Sequence, residues 1–432
     1  MDNFLLEGTT RIGHLYDGSD ETPSITAQLS RADDQVRLEL SLLRSVTDLH
    51  EAWFQSQQVP SCLLFRDTAG AVALAGCRFG GYTQSSWYGH ASGVIWVEQA
   101  VVGADAEDYS TLTGVRSSID GLARWTGLSS VSDEREHDDE SRLTAITVTA
   151  ESKPAIAIGG TPPLSLTPQF STSTDPANGT TLIQEQVLVE TLTEQPISWQ
   201  KHLRPHRALQ DLLALTYGWP CNLDVTYARR EDDPYRLLDG ESLGTPWLQA
   251  VVPRAGRRPA KRAPLSASQR PLFVLADISP AGVAKWISEY DSLGRSMWPL
   301  ASLVYQGNIP VQARLLQVAT ALEALGFELT RSDGAGSSSP GKTENFLTYL
   351  RLIVHGVGHD GAAVVSKDYA DVSSWMAAFN QAYKGVKHAD NASTLFAEAV
   401  EMVKAGSLLA RLWLGAYLGA DPHALADRAR YV

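Results

Sequence analysis

The sequence is poor in cysteine: Cys62, Cys77 and Cys221 are the three cysteines of a 432-residue chain. None of them stands in a CxxC arrangement, so the spacing supports neither a disulfide framework nor a cysteine-rich zinc site. We therefore expect three reduced thiols with a structural role.

The sequence also lacks the features of secreted and membrane-spanning proteins. Its first residues, MDNFLLEGTTRIG, have an acidic residue where a signal peptide needs positive charge, and their apolar run is too short for a signal-peptide core. No stretch approaches the ~18 apolar residues of a spanning helix. We expect a cytoplasmic protein with no membrane partner.

Positive charge is scarce, and the formal net charge is −13. This balance opposes the general attraction to phosphate that most nucleic-acid-binding proteins use. Residues 308–432 contain 11 Lys and Arg residues against 12 Asp and Glu residues, which leaves 25 against 37 for residues 1–307. The composition excludes a broad basic surface, but it is compatible with a local RNA site in the C-terminal part.

Length and composition indicate more than one folded domain. Single cores stop growing at about 250–300 residues, whereas this chain has 432 residues with a globular mixture of 44% hydrophobic and 20% charged residues. We expect an α+β multidomain protein with a β-rich domain at residues 1–282, a helical connector at 283–306 and an all-α bundle at 307–432.

Short runs with a period of two fill the first 200 residues. Val36, Leu38 and Leu40 alternate with polar residues, which predicts a half-buried strand. Clusters of Gly, Ser, Asp and Pro separate further predicted strands, at Leu63–Phe65, Val72–Ala75, Val94–Val97, Ile146–Val148, Ile156–Ile158 and Ile183–Val189. The pattern predicts a mostly antiparallel β domain, with one helix at residues 206–220.

Two charged runs are interpreted as solvated loops. They are residues 133–140 (DEREHDDE) and residues 254–262 (RAGRRPAKR). The basic run is also a candidate contact for RNA phosphates, but we favour an exposed loop between strands because blocks of like charge are usually solvated.

Helical spacing begins near residue 279 and continues to the end. Apolar residues from Val311 to Leu325 recur at i, i+3/i+4 and i+7 after Pro310, which suits a first helical turn. Further helices are predicted at residues 346–354, 373–383 and 394–418. Four or five helices without strands indicate a bundle.

Two patterns resemble ligand sites but lack the required context. Residues 336–343 (GSSSPGKT) fit the expression for a phosphate-binding loop, yet no buried strand precedes them. His355 and His359 have the spacing of zinc ligands on a helix, but Gly356 and Gly358 would each destabilise that helix by about 1 kcal/mol. We interpret the histidines as loop residues and expect neither a metal nor another cofactor.

A row of polar residues is a better candidate site. Asn380, Lys384, His388 and Asn391 stand at i, i+4, i+8 and i+11, which places them on one side of a helix. RNA cleavage without a metal needs a proton-transfer group at the 2′-hydroxyl or the leaving 5′-oxygen, and a cation for the developing phosphorane charge. An exposed polar helix end gives the same spacing, so spacing alone leaves both interpretations open.

The order of the segments resembles a known family. The C-terminal segments WISEYDSL, WPLASLVYQG, ARLLQVATALEALG, FLTYLRLIV and YKGVKHADN, followed by a long closing helix, resemble the ApeA-like HEPN family. The N-terminal segments GTTRIGHLYDG, LAGCRFGG, GHASGVIWVEQAVVG and LARWTGL resemble the β-rich domain that precedes this module in ApeA-type antiphage proteins. The resemblance implies a metal-independent endoribonuclease that halts the growth of infected cells, with RNA such as tRNA as substrate and a phage-derived trigger or regulatory protein as partner.

The family motif is Arg, usually Asn, three further residues and His. The resemblance assigns His388 to the His position, Lys384 to the Asn position and Tyr383 to the Arg position, and Glu323 corresponds to an acidic residue of the first helix. The motif Arg is absent. Lys384 or Lys387 then supplies the cation, as a point charge without the planar fork that Arg presents to phosphate.

Two hypotheses from different classes follow. In the first, the protein is a ribonuclease effector whose N-terminal domain senses infection and controls a HEPN dimer. In the second, the HEPN domain is catalytically inactive and serves as a dimerising, RNA-binding or partner-binding module. Both predict a homodimer through the helices, because the family builds its site across a two-fold axis and the closing helix has a stripe of leucines to spare, Leu408, Leu409, Leu412 and Leu414. We prefer the nuclease hypothesis.

Overall fold

The structure is a computed structural model. It describes residues 3–32, 35–43, 48–85, 89–104, 106, 108–235, 241–258, 265–266, 268–332, 345–388 and 395–431. A large antiparallel sheet is followed by a helical region from residue 275 to residue 429, which confirms the predicted α+β class. Within these ranges no helix has both the length and the apolar character needed to cross a bilayer.

The strands pair in an antiparallel manner throughout the described ranges. Their bounds are β1 Thr10–Tyr16, β2 Ile25–Ala32, β3 Gln35–Leu43, β4 Cys62–Asp67, β5 Gly70–Ala75, β6 Arg78–Ser85, β7 His90–Val97, β8 Gln99–Val102, β9 Thr111–Ile119, β10 Val131–His137, β11 Leu143–Ala150, β12 Ile156–Gly159, β13 Leu164–Asp175, β14 Thr180–Ser198, β15 Leu223–Arg229 and β16 Leu248–Val251. The main sheet has the order β12-β13-β14-β9-β15-β16-β8-β5-β4-β1-β2-β3-β7-β6, and β10 and β11 form a separate hairpin. Each predicted strand lies within one of these elements.

The middle of the main sheet is buried on both faces. In β4, Leu63 and Phe65 belong to one apolar core while Leu64 belongs to another, and in β5 Val72 and Ala73 divide in the same way. A strand that is covered on both faces has a continuous apolar run instead of an alternating one. The central position of β4 and β5 therefore explains why their segments CLLF and AVALA contain no polar residue.

The acidic run at residues 133–140 was expected to be a loop, and this interpretation is wrong for its first part. Residues up to His137 form β10, which pairs with β11 so that Val131 lies opposite Ala150. The strand is nevertheless solvated, because nearly all side chains of both strands are exposed.

The basic run at residues 254–262 is described up to residue 258. There the Nε of Arg257 donates to Asp211 Oδ1 at 2.9 Å, and Nη2 of Arg258 donates to Asp224 Oδ1 at 2.7 Å. The guanidinium groups of Arg257 and Arg258 are therefore paired with carboxylates of the N-terminal part and are not free phosphate contacts, whereas Arg254 is exposed.

The helices are α1 Asp48–Gln55, α2 Leu122–Thr126, α3 Trp199–Tyr217, α4 Leu275–Glu289, α5 Gly294–Leu303, α6 Val311–Ser332, α7 Phe346–Val365, α8 Val372–Lys387, α9 Phe396–Tyr417 and α10 Pro422–Ala429. Helix α3 begins seven residues before the predicted start and ends at Tyr217, where Gly218 with φ +62° forms the C-cap. Helix α7 continues through His355 and His359, so their interpretation as loop residues is wrong. Gly358 has φ +74° and kinks α7 instead of ending it.

One apolar core continues from the sheet into the helical region. It includes side chains of α3, α4, α6 and α9. Leu409, Leu412 and Leu414 of α9 are buried in this core and Leu408 is half-buried, so the expectation that these leucines have surface to spare for a second copy is wrong.

Helix α4 contacts both parts of the protein. On one side the indole Nε1 of Trp286 donates to the carbonyl oxygen of Ala208 in α3 at 2.6 Å. On the other side Nζ of Lys285 donates to the carbonyl oxygen of Tyr417 at 3.0 Å and lies 3.4 Å from the centroid of the Tyr417 ring. Gly282 is also required here, because a Cβ at this position would lie 2.4 Å from the carbonyl oxygen of Leu418.

Candidate functional site

Helix α8 positions most of the residues predicted from the sequence. Its first turn is capped by Asp371, whose side chain accepts a hydrogen bond from the backbone N–H of Ser374 at 2.7 Å. Its apolar face packs into the bundle through an aromatic cluster in which Phe379 lies 5.5 Å from Trp375 and 5.8 Å from Phe346 between ring centroids. The opposite face, with Lys384, is therefore held towards solvent.

Tyr383 links two of the predicted residues. Its ring is buried 4.9 Å from that of Phe346, and its hydroxyl donates to Glu323 Oε2 of α6 at 2.9 Å. The same hydroxyl oxygen accepts a hydrogen bond from Nζ of Lys387 at 3.2 Å. Glu323, Tyr383 and Lys387 thus form a short polar chain that crosses from α6 to the end of α8.

This chain fixes a cation at the edge of the bundle. The hydrogen bond to Tyr383 raises the pKa of Lys387, with smaller contributions from the charge interactions with Tyr383 and Glu323. The Nζ atom also lies 5.0 Å from the centroid of the Tyr383 ring, in the range of a cation–π contact. Lys387 remains exposed, so the protonated amine is available to an anion in solution.

His388 terminates α8. Its backbone is extended, with φ −125° and ψ 120°, while its N–H still donates to the carbonyl oxygen of Lys384 at 3.0 Å. The side chain of His388 therefore leaves the helix one turn after Lys384, and both side chains are exposed. The end of α8 brings together an accessible imidazole and two lysines.

The remaining predicted residues lie at the two ends of this row. Asn380 is half-buried one turn before Lys384. The helix ends at Lys387, and Asn391 lies outside the described residues, as do residues 336–343 of the loop that fits a phosphate-binding expression.

The chemistry available at the end of α8 is proton transfer and anion stabilisation. An exposed imidazole can accept or donate a proton near neutral pH, and the lysines can offset negative charge. Within the described ranges, no three side chains of His, Cys, Asp or Glu come together in a way that could hold a metal ion.

A second group of histidines was not recognised in the sequence. His202 and His206 of α3 are fully buried with Thr191 of β14 and Ser117 of β9. The carbonyl oxygen of Leu112 accepts from His202 Nε2 at 3.0 Å, so His202 Nδ1 accepts from the Thr191 hydroxyl at 2.9 Å.

The same network continues to His206. Thr191 Oγ1 accepts from His206 Nε2 at 3.1 Å, and the Ser117 hydroxyl donates to His206 Nδ1 at 2.5 Å. Every polar atom is satisfied with neutral imidazoles, which assigns this cluster to the interior structure of the N-terminal part and not to a reactive site. The i, i+4 spacing of the two histidines on an apolar helix was the available signal.

Comparison with known proteins bears on the N-terminal part of the chain. Residues 10–286 match the family model described as ApeA N-terminal domain 1. No curated protein and no solved structure matches the chain. The matched residues extend from β1 to α4 and make up more than half of the chain, so this protein belongs to the ApeA N-terminal domain 1 family, which is associated with antiphage defence.

Proposed function

We propose that this protein is a cytoplasmic antiphage effector whose C-terminal helices form a HEPN-type endoribonuclease that acts without a metal. The observation that carries the proposal is the arrangement at the end of α8. His388 and Lys384 are exposed one turn apart, next to Lys387, which Tyr383 and Glu323 hold in place. The family of the N-terminal part supports the biological role.

The proposed reaction is attack of a ribose 2′-oxygen on the adjacent phosphorus. The bond between phosphorus and the 5′-oxygen breaks, which leaves a 2′,3′-cyclic phosphate on one product and a 5′-hydroxyl on the other. Neutral His388 accepts the proton of the 2′-hydroxyl, and protonated His388 of a second copy donates a proton to the leaving 5′-oxygen. Two copies of one histidine thus supply the base and the acid.

In this proposal the lysines stabilise the phosphorane. Negative charge develops on the non-bridging oxygens, and Lys384 and Lys387 stabilise it at close range. Lys387 is the better-positioned cation because its hydrogen bond to Tyr383 limits its freedom. A lysine replaces the charge of the family Arg but not its two parallel hydrogen bonds.

Exposed apolar residues near the site support a dimer. Leu316 and Phe327 of α6 are 39% and 46% exposed, and they lie at i and i+11 on the face that also presents Ala324, beside Glu323. Thr320 and Glu323 interrupt the apolar residues of this face, and exposed aromatic residues such as Phe327 are enriched at protein interfaces. Because this stripe adjoins the polar chain of the site, a second copy seated on it would bring the two α8 ends close together.

The decisive test replaces the proposed proton-transfer group. Purified protein is incubated with total RNA and EDTA, with and without extract of phage-infected cells as the source of a trigger, and cleavage is followed on gels. We expect His388→Ala to lower the cleavage rate by about 10²–10⁴-fold and Lys384→Ala to lower it as well. His355→Ala, at an exposed histidine of α7, is the matched control and should cleave normally. Absence of cleavage by wild-type protein in either condition, or unchanged cleavage by His388→Ala, contradicts the proposal.

A second candidate function is favoured by one observation. Tyr383 occupies the Arg position of the family motif, and its hydroxyl is engaged with Glu323 and Lys387, so it does not offer a cation to phosphate. In this alternative the helical part is an inactive module that binds RNA or a partner. Binding of labelled RNA in fluorescence anisotropy without cleavage, in wild type and His388→Ala alike, would identify it. Faster cleavage by Tyr383→Arg than by wild type would instead identify an active site that lacks only the planar guanidinium group of the motif Arg.

A further inference from the structure

A large cavity lies between the N-terminal part and the closing helices. It has a volume of about 1710 Å³ and opens to solvent. Leu215, Gly218 and Trp219 line it from the end of α3, and Leu408 and Arg411 line it from α9. Sites for small organic ligands usually have volumes of about 300–1,000 Å³, so this cavity can hold such a ligand together with water.

Arg411 places a positive charge at the cavity wall, and its hydrogen bonds to carbonyl groups offset that charge only in part. Its Nε donates to the carbonyl oxygen of Leu215 at 2.6 Å and its Nη2 to that of Thr216 at 2.9 Å. Burial lowers the pKa of Arg411 to about 10, which still leaves it protonated at neutral pH. Among the described residues no carboxylate pairs with it, and Nη1 has no hydrogen-bond partner.

The carbonyl contacts offset only part of this charge. The end of a helix carries the equivalent of roughly half a negative charge, whereas a guanidinium carries a full positive one. The guanidinium is also tightly placed, because a Cβ at Gly218 would lie 2.9 Å from Nη1 of Arg411. An arginine that is held in place, and whose free edge is the side of the guanidinium with Nη1, is suited to bind a phosphate group.

Two further polar groups of the cavity wall have no partner. Trp375 is fully buried and its indole Nε1 has no hydrogen-bond partner in the described residues, and the same holds for the buried Oγ of Ser407. Buried polar groups without partners are rare in folded proteins. Both atoms are inaccessible to solvent, so a ligand in the open cavity does not reach them without a side-chain movement.

We propose that this cavity binds a nucleotide. Its phosphate pairs with the free edge of Arg411, and its base packs on Trp219, an indole that is 36% exposed at the cavity wall. The bound nucleotide contacts both the end of α3 and helix α9.

The binding is tested by isothermal titration calorimetry of the full-length protein with AMP, in the absence of RNA. We expect one AMP per chain, with adenosine and inorganic phosphate each binding at least about tenfold more weakly, because each lacks one half of the recognised groups. Trp219→Ala and Arg411→Gln should each weaken AMP by about tenfold or more. Arg351→Gln, at an exposed arginine of α7 outside the cavity wall, is the control and should bind AMP as the wild type does.

The outcomes separate the two proposals. Absence of AMP binding, or equal AMP affinity in wild type and Trp219→Ala, overturns the nucleotide site, and the Trp219 variant keeps this conclusion firm if Arg411→Gln fails to fold. If inorganic phosphate binds as tightly as AMP, the proposed packing of the base on Trp219 is wrong. A protein that binds AMP in this cavity but never cleaves RNA refutes the nuclease proposal and leaves the nucleotide site standing.

Discussion

The buried histidine pair of α3 makes the N-terminal part sensitive to acid. His206 is fully buried, accepts from Ser117 and donates to Thr191, and burial together with the charge interactions with His202 and Arg207 lowers its pKa to about 3. In the unfolded chain the pKa of a histidine is about 6.5. As the pH falls below 6.5 the unfolded chain therefore binds a proton that the native state does not, and the free energy of unfolding decreases until the pH reaches the native pKa.

The size of the effect follows from the two pKa values. At pH 5 the native imidazole is still neutral, so the loss is about 1.5 pH units at 1.36 kcal/mol each, or roughly 2 kcal/mol relative to pH 7. His202 acts in the same direction, because burial lowers its pKa too.

The assay is amide hydrogen exchange measured by mass spectrometry on peptides from α3. It suits a large protein because it reports the opening of one segment without a two-state assumption for the whole chain. Protection in α3, corrected for the intrinsic exchange rate, should fall by about 30-fold or more between pH 7 and pH 5, the equivalent of roughly 2 kcal/mol.

The matched variant is His206→Gln, which cannot titrate. It should be less stable than wild type at pH 7 by about 1–3 kcal/mol, because the buried Ser117 hydroxyl loses its acceptor, but its loss of protection between pH 7 and pH 5 should be smaller than that of wild type by roughly 2 kcal/mol. An equal pH dependence in both proteins, or an NMR titration of native His206 near pH 6.5, would refute the reasoning.

Two further predictions concern the C-terminal part. Tyr383→Phe removes the hydrogen bond that is the largest cause of the raised pKa of Lys387, so Lys387 should be acylated faster at a fixed alkaline pH. The free energy of unfolding should also fall by about 1–3 kcal/mol, because Glu323 loses its donor. An unchanged acylation rate, measured by peptide mass spectrometry, would contradict the contact between Tyr383 and Lys387. The double variant Leu316→Glu and Phe327→Glu should convert a dimer at micromolar concentration into a monomer in light scattering, and a wild-type monomer would count against the interface.

Much of the fold could be predicted because its signals are local. Strand β3 alternates with a period of two and α8 has an apolar stripe, and both patterns need only neighbouring residues. Helix α7 was predicted to end before His355, because Gly356 and Gly358 have low helix propensity. Tertiary packing overrides that cost: the apolar residues after the kink, such as Ala362 and Val365, are buried against the bundle.

The residues of the candidate site could be predicted from the sequence, but the hydrogen bonds that join them could not. Spacing placed Lys384 and His388 together, and the family resemblance pointed to Tyr383 and Glu323. The hydrogen bond between Tyr383 and Glu323 joins residues 60 positions apart, and periodicity carries no information about such pairs. The same limit explains why the partners of Arg411, almost two hundred positions away in α3, were not anticipated.

Helix α4 has a consequence for how the two parts of the protein communicate. The family match ends at residue 286, in the last turn of this helix, and four residues later the hydroxyl of Tyr290 donates to Asp211 Oδ2 at 2.6 Å. A chain cut at the end of the match would leave α3 without that donor. Ser279, with φ +59°, kinks α4, and the segment after this kink carries both Trp286, which contacts α3, and Lys285, which contacts the end of α9. A displacement of α3 therefore acts on the contact with Tyr417 through neighbouring residues of one short helical segment.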